Sequence, residues 1–352
     1  MDLIEFKLCL AAQLKGKCFW KIKKKYGKDS VALLKTSKFK FLSLDLDLDQ
    51  IVEDELKLVE EHNIKILAFD SPDYPLILKE IVDPPPFLFC KGDLTLLNSN
   101  CIAIIGSRYP TAYAKKVTAK LAEELAISDI TIISGLARGI DSIAHKGALK
   151  TGKTVAVLGN GFGTVYPSEN KQLYQEIAEK GLVLTEFLFK TAPLARNFPR
   201  RNRLVSGISK GVVVVEAAEK SGSLITANLA ADQNKDVFAV PGELTNPNAK
   251  GPNQLIKDGA KMVTDAGDVL DEVFGVSKSF DFNEGKKEKL LATLDEEEKA
   301  IYDFIVSSHK PSFEDIFENV SMNVNILMGN LLSLEMKGAI KESSGKVYLK
   351  EI

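Results

Sequence analysis

Short apolar runs alternate with longer helical stretches from residue 100 to about residue 274. The runs are continuously apolar and rich in Val and Ile, which is typical of strands buried on both faces of a sheet. They occupy 101–105, 130–134, 154–158, 182–185, 211–215 and 236–240. Helical patterns separate them at 112–127, 139–150, 168–179, 201–209 and 223–234. The alternation predicts an α/β domain over 100–275 with a Rossmann-like, doubly wound, mainly parallel sheet.

The chain before this domain has a different pattern. Apolar residues at helical spacing predict a small helical (SAM-like) N-terminal domain over 1–70. Residues 71–99 contain five prolines, three of them consecutive at 84–86. Consecutive prolines fit neither a helix interior nor a central strand, so this segment is expected to be an ordered connector.

The C-terminal part predicts another separate domain. Residues 276–292 are mostly polar and are expected to form a linker. Over 293–352, helical patterns at 295–307, 312–319 and 323–337 precede a hairpin that turns at Ser344-Gly345, which is the order of a winged helix. The third helix carries one base, Lys337. A DNA-reading helix usually carries more positive charge, so protein interaction or dimer support is favoured here over DNA contact.

Composition and charge narrow the possible functions. The 352 residues carry 46 Lys and Arg against 48 Asp and Glu, which argues against a generally cationic surface. The charges are distributed unevenly, because eight acids and one base fall within 45–61, whereas 190–210 holds six bases and no acid. A cluster of like charges at one sheet edge favours bound anions that neutralise it. The sequence therefore predicts a localised basic pocket.

Other classes of protein are disfavoured. The four cysteines lack CxxC spacing and the three histidines are far apart, so neither a metal site nor a disulfide framework is expected. No apolar run approaches the roughly 18 residues of a membrane span, and the N-terminus lacks the basic start of a secretory signal. We expect a soluble cytoplasmic protein without a cofactor.

The candidate binding residues follow the predicted strands. Glycines allow tight turns, helix starts offer free N–H groups to anions, arginines suit phosphate, and phenylalanines can stack on bases. One nucleotide needs one or two such turns, whereas a string of phosphates uses several, so a polynucleotide is favoured. The candidates are Gly106, Ser107, Arg108, Ser134, Gly135, Ala137, Arg138, Gly139, Gly161, Phe162, Phe198, Arg200, Arg201, Asn202, Arg203, Ser221, Gly222 and Ser223.

Enzymatic alternatives have weaker support. Residues 147–154 fit the Walker A pattern, but a helix precedes them and a strand follows, the reverse of a P-loop, which places Lys153 at the wrong sheet edge. Glu216 is the nearest candidate for a general base in a nucleoside monophosphate hydrolase. His145 is followed by no nucleophile pattern and is expected to face solvent or a neighbouring helix, and no catalytic residue is assigned. Simple helix capping is the alternative role for Asp141, Ser221 and Ser223.

Several ordered motifs resemble the DNA-processing protein A (DprA/Smf) family. They include Gly106-Ser107-Arg108, SGLARGID at 134–141, FPRRNR at 198–203 and SGSLITA at 221–227, within a match from about residue 74 to 274. The resemblance implies a dimeric bacterial protein, not known as an enzyme, that binds single-stranded DNA in natural transformation, protects it and loads the recombinase RecA. It implies that DNA lies along the 106–108 and 134–141 turns, with Arg138 where the family often has lysine.

Overall fold

The computed structural model describes residues 6–7, 9–10, 19–26, 48–275, 291–308, 311–320, 322–343 and 346–349. The chain divides into two compact units, residues 1–278 and residues 279–352. Most of the predicted linker and the Ser344-Gly345 turn lie outside the described residues. The further predicted division of the first unit, at residues 70 and 99, stays a prediction.

A nine-stranded sheet forms the centre of the first unit, in the order β1-β2-β6-β5-β4-β3-β7-β8-β9. All neighbouring strands along the stretch β6-β5-β4-β3-β7-β8-β9 are parallel, whereas β2 is antiparallel to both β1 and β6. The mainly parallel sheet of the sequence prediction is thus confirmed. The strands are β1 Lys65–Ala68, β2 Phe87–Gly92, β3 Cys101–Ile105, β4 Thr131–Ser134, β5 Thr154–Val157, β6 Leu182–Thr185, β7 Gly211–Val214, β8 Asp236–Ala239 and β9 Lys261–Met262.

Helices cover both faces of this sheet because its central strands are apolar on both sides. Val155 and Val157 of β5 pack in one buried cluster, whereas Ala156 packs in another. The helices are α1 Phe19–Tyr26, α2 Leu48–Glu61, α3 Leu76–Lys79, α4 Ala112–Ile127, α5 Ile140–Ala148, α6 Lys171–Lys180, α7 Asn197–Ile208, α8 Gly222–Asp232, α9 Lys250–Lys257 and α10 Ala266–Phe274.

Two strands precede the first one that the sequence predicts. β1 and β2 flank the proline-rich segment and extend the sheet at its β6 edge, so part of the expected connector is sheet. The backbone of Phe69 donates to the Pro86 carbonyl at 3.0 Å, immediately before β2 begins. The prolines at 84–86 therefore end directly before β2 and do not prevent this strand from forming.

Helix α7 begins four residues earlier than predicted, at Asn197 rather than residue 201. Pro199 lies in its first turn, where the missing backbone N–H has no partner inside the helix in any case. Consequently 198–203 is helix, and its side chains point in several directions rather than along one loop.

The second unit contains the predicted elements. They are α11 Glu296–Ser307, α12 Phe313–Asn319, α13 Val324–Met336 and the antiparallel pair β10 Ile340–Ser343 and β11 Lys346–Leu349. Asp295 and Glu298 form a capping box at the start of α11. Lys337, the base predicted at the end of the third helix, donates to Glu298 Oε1 at 2.6 Å and to the Thr293 carbonyl at 3.1 Å. This lysine is therefore used inside the unit.

Candidate nucleic-acid interface

The sheet reverses its strand order at β3, with β4 on one side and β7 on the other. In open α/β sheets, ligands bind at such a switch point, outside the carboxyl ends of the strands. The turns after β3 and β4 and the start of helix α8, after β7, meet there around a cavity of about 680 Å³. Of the predicted residues, the cavity is lined by Gly106, Ser107, Arg108, Gly135, Ala137, Phe198, Arg201, Asn202, Ser221, Gly222 and Ser223.

The turn after β3 requires glycine. A Cβ on Gly106 would lie 2.7 Å from Ile140 Cγ1 and 2.9 Å from the Glu216 carbonyl oxygen, so no side chain fits there. Ser107 Oγ accepts from the Tyr109 backbone N–H at 3.1 Å. Arg108 is exposed, with its guanidinium carbon 5.9 Å from the centroid of the Phe198 ring. No carboxylate among the described residues forms an ion pair with Arg108.

Two buried ionisable side chains, Asp141 and Arg201, hold the turn after β4 from below. The Asp141 carboxylate accepts from the backbone N–H groups of Gly135 at 3.1 Å and Ala137 at 3.3 Å. Arg201 is 5% exposed and donates to the Gly135 carbonyl at 2.7 Å and to the Val157 carbonyl. Burial lowers the pKa of Arg201 to about 10, so it stays charged at neutral pH. These two side chains fix the shape of the turn.

Helix α8 begins at the same cavity. Ser221 caps it, because its side chain accepts from the Ser223 backbone N–H at 3.2 Å, and Ser223 Oγ donates to the Gly106 carbonyl at 2.9 Å. The capping alternative is thus correct for Ser221. A Cβ on Gly222 would meet nothing within 4 Å, so the helix start is open. The remaining N–H groups and the helix dipole favour an anion at this point.

Aromatic side chains line one wall of the cavity. Phe198 and Tyr166 have ring centroids 5.6 Å apart, and Tyr109 is 77% exposed. Sequence reasoning missed both tyrosines as well as Lys220 and Asn248. A solvent-facing aromatic in a turn has no periodicity that distinguishes it in a single sequence.

Several predicted residues do not line the cavity. Phe162 is 9% exposed and packs in an apolar cluster, so it has no open face for a base. Ser134 is buried and donates to the Ile104 carbonyl at 2.7 Å. A Cβ on Gly161 would clash with the Leu188 carbonyl, and one on Gly139 with the Ser107 carbonyl. These positions are explained by packing of the turns.

Two arginines of helix α7 form ion pairs with acids from outside the helix. Arg200 donates to Glu186 at 3.0 Å, and Arg203 pairs with the same carboxylate. The side chain of Arg203 is 12% exposed, with Asp83 at 3.9 Å from its Nε. Acids from outside the segment therefore offset part of the charge that the count over 190–210 predicts for the groove.

The enzymatic candidates have structural roles. Glu216 is 2% exposed; Oε2 accepts from the Thr111 backbone N–H at 3.0 Å, and Oε1 accepts from the Thr111 hydroxyl at 2.7 Å and Asn246 Nδ2 at 3.1 Å. Lys153 precedes β5, at the opposite edge of the sheet, and donates to the Lys180 carbonyl at 3.0 Å. His145 does not face solvent, because it is buried against the Thr154 hydroxyl at 2.7 Å.

The described residues contain no group of three or more His, Cys, Asp or Glu arranged to hold a metal ion. None of the described helices is both long enough and apolar enough to cross a membrane.

A family model described as DNA recombination-mediator protein A matches residues 65–274. The chain belongs to this family. The match contains all nine strands of the large sheet and every turn of the cavity. The family predicted from the sequence motifs is therefore confirmed.

Two relatives match more than half of the chain. DNA processing protein DprA of Bacillus subtilis is 46% identical over 220 residues, 62% of this chain and 74% of that protein. Protein Smf of Escherichia coli is 45% identical over 228 residues, 64% of this chain and 61% of that protein.

Two solved structures also match. The X-ray structure of DNA processing protein A from Streptococcus pneumoniae has a TM-score of 0.69 and 34% identity, over 78% of this chain and 98% of that one. A structure of DNA processing protein A from Helicobacter pylori, described for its single-stranded DNA binding mode, has a TM-score of 0.55 and 34% identity, over 60% of this chain and 96% of that one.

Proposed function

We propose that this protein binds single-stranded DNA in the cavity between the turns after β3 and β4 and the start of helix α8. The observation that carries the proposal is the convergence of Arg108, the open N-terminus of α8 and the Phe198–Tyr166 wall at one cavity. Arg108 and the N-terminus of α8 can bind phosphate. The aromatic wall can stack on an unpaired base, and such stacking is tolerant of the base sequence.

Single strands fit this cavity better than duplexes. A base inside a duplex has no free face for Phe198, which lines the cavity. The structure described for single-stranded DNA binding in the Helicobacter pylori relative supports the same choice.

We further propose the biological role that the family resemblance implies. The protein protects incoming single-stranded DNA and loads RecA onto it during natural transformation and homologous recombination, in the cytoplasm, as a homodimer and without catalysis. RecA-dependent strand pairing on DNA coated with a single-strand-binding protein tests the loading step. Equal rates with and without this protein would contradict it.

Binding of the full-length protein to a labelled dT oligonucleotide and to a duplex of equal length tests the central part. We expect tighter binding to the single strand, and about −0.7 in the log–log salt slope for each phosphate contacted. Phe198→Ala should weaken single-strand binding by a factor of about 5 to 150, as stacking contributes roughly 1–3 kcal/mol. Phe162→Leu, a conservative change in the core, is the matched control, and equal affinity of wild type and Phe198→Ala would contradict the proposal.

A further inference from the structure

The exposed arginine of the turn after β4 already binds an anion of the protein itself. Arg138 Nε donates to Glu169 Oε1 and Arg138 Nη2 donates to Glu169 Oε2, both at 2.7 Å. This is the bidentate geometry in which a guanidinium also binds phosphate. The side chains of Arg138 and Glu169 are 47% and 51% exposed, so solvent and ligands reach the pair.

The pair lies at the rim of the proposed DNA cavity. Gly135 and Ala137, from the same turn as Arg138, line the cavity, and so does Tyr109. Glu169 and, to a lesser degree, the nearby Tyr109 side chain raise the pKa of Arg138. A strand that leaves the cavity over Tyr109 therefore brings its phosphates to Arg138.

A neighbouring side chain holds Glu169 in place. Asn170 is 7% exposed, and its amide donates to the Leu136 carbonyl at 2.9 Å and to Ser142 Oγ at 2.8 Å. These bonds tie the 168–170 turn to the turn that carries Arg138. Asn170 therefore makes the bonds that hold this turn, whereas the bonds described for Glu169 go to Arg138.

Stability alone does not account for the pair. Exposed ion pairs contribute a median of about 0–1 kcal/mol to stability. Because the pair contributes so little to stability, a phosphate can displace the Glu169 carboxylate from Arg138 at a small free-energy cost.

We infer that Glu169 is an internal competitor that occupies the phosphate site of Arg138 until single-stranded DNA displaces it. The inference rests on the proposed function. Glu169 then weakens binding to single strands and sets the affinity of the free protein. A strand that reaches the rim gains Arg138 as a contact, whereas a shorter ligand confined to the cavity leaves the pair intact.

Glu169→Gln tests this inference in the full-length protein. We expect it to bind a labelled dT20 oligonucleotide about two- to fivefold more tightly in 50 mM salt, since the phosphate no longer displaces a carboxylate. Glu176→Gln is the matched control, because Glu176 forms an exposed ion pair with Lys180 at 3.0 Å on α6 and carries the same charge. Its affinity should equal that of the wild type.

The Arg138→Ala background separates competition from a general charge effect. Glu169→Gln should add no affinity there, because the phosphate site is gone. Equal gains in both backgrounds, or no gain in the wild-type background, would overturn the inference. If the wild-type chain itself shows no binding to dT20, the proposed function fails and this inference with it; if the wild type binds and Glu169→Gln binds equally, only the inference fails.

Discussion

Arginines occupy two regions of the candidate site, and the environments of the two regions differ. On the turn after β3, Arg108 is exposed and has no ion-pair partner among the described residues. On helix α7, Arg201 is buried beneath the turn after β4, and Arg203 is paired with Glu186. The denser cluster in the sequence is thus the one that stabilises the fold. The number of arginines available to a ligand can therefore be counted only after their ion-pair partners from other segments of the chain are known.

The largest expected effect is on the interior region. Arg201→Met removes the buried hydrogen bonds to the Gly135 and Val157 carbonyls and leaves both acceptors unsatisfied, so we expect a loss of about 3–5 kcal/mol in the free energy of unfolding. Arg196→Ala, an exposed change one residue before the same helix, should alter it by less than about 0.5 kcal/mol. Chemical denaturation of the two variants measures this. A loss below 1 kcal/mol for Arg201→Met would remove the distinction between the regions.

The stability of the protein should depend on pH because His145 is buried. Burial and the nearby Arg201 charge lower the pKa of His145 to about 3, from 6.5 for a free histidine. Between pH 6.5 and 3, the unfolded chain therefore binds a proton at His145 that the folded chain does not bind. The free energy of unfolding consequently decreases as the pH falls from 6.5 toward 3. We expect a slope of up to about 1.4 kcal/mol per pH unit between pH 6 and 4.

The slope is measured by denaturation at several pH values in wild type and His145→Gln. The variant should lack this component, since glutamine does not titrate, while the carboxylates contribute equally to both. Parallel pH profiles of the two proteins would contradict the buried neutral histidine.

A smaller effect is expected at Glu216. Its carboxylate accepts hydrogen bonds from Thr111 at the start of α4, so Glu216→Gln should cost about 1–2 kcal/mol of stability. Affinity for dT20 should stay within about twofold of wild type. Release of free base from a nucleoside monophosphate by the wild type, lost in the variant, would instead support the hydrolase alternative.

Much of the fold could be predicted from the sequence because its central strands are continuously apolar. β3 and β6 have the predicted bounds, and β4, β5, β7 and β8 differ by one residue at one end. β1 and β2 were missed, since prolines flank them and they form the antiparallel edge of the sheet. Residues that follow a strand reach its carboxyl end by chain connectivity, so the turns of the cavity were predictable as well.

The partners of the arginines could not be predicted in the same way. Glu186 lies after β6, yet it forms ion pairs with Arg200 and Arg203 of the next helix. Asp83 lies more than a hundred residues away in the chain and approaches Arg203. Such pairs depend on which side chains of helix α7 turn inward, and the early start of that helix at Asn197 changes those directions. A single sequence carries no record of them.

The salt dependence of dT20 binding by wild type, Arg108→Ala and Arg203→Met tests the contrast between the two regions most directly, with each variant shown to be folded by circular dichroism. We expect Arg108→Ala to weaken binding about tenfold and to reduce the log–log salt slope by about 0.7, the value for one lost phosphate contact. Arg203→Met should keep the wild-type slope. A reduced slope in Arg203→Met together with an unchanged slope in Arg108→Ala would contradict the account.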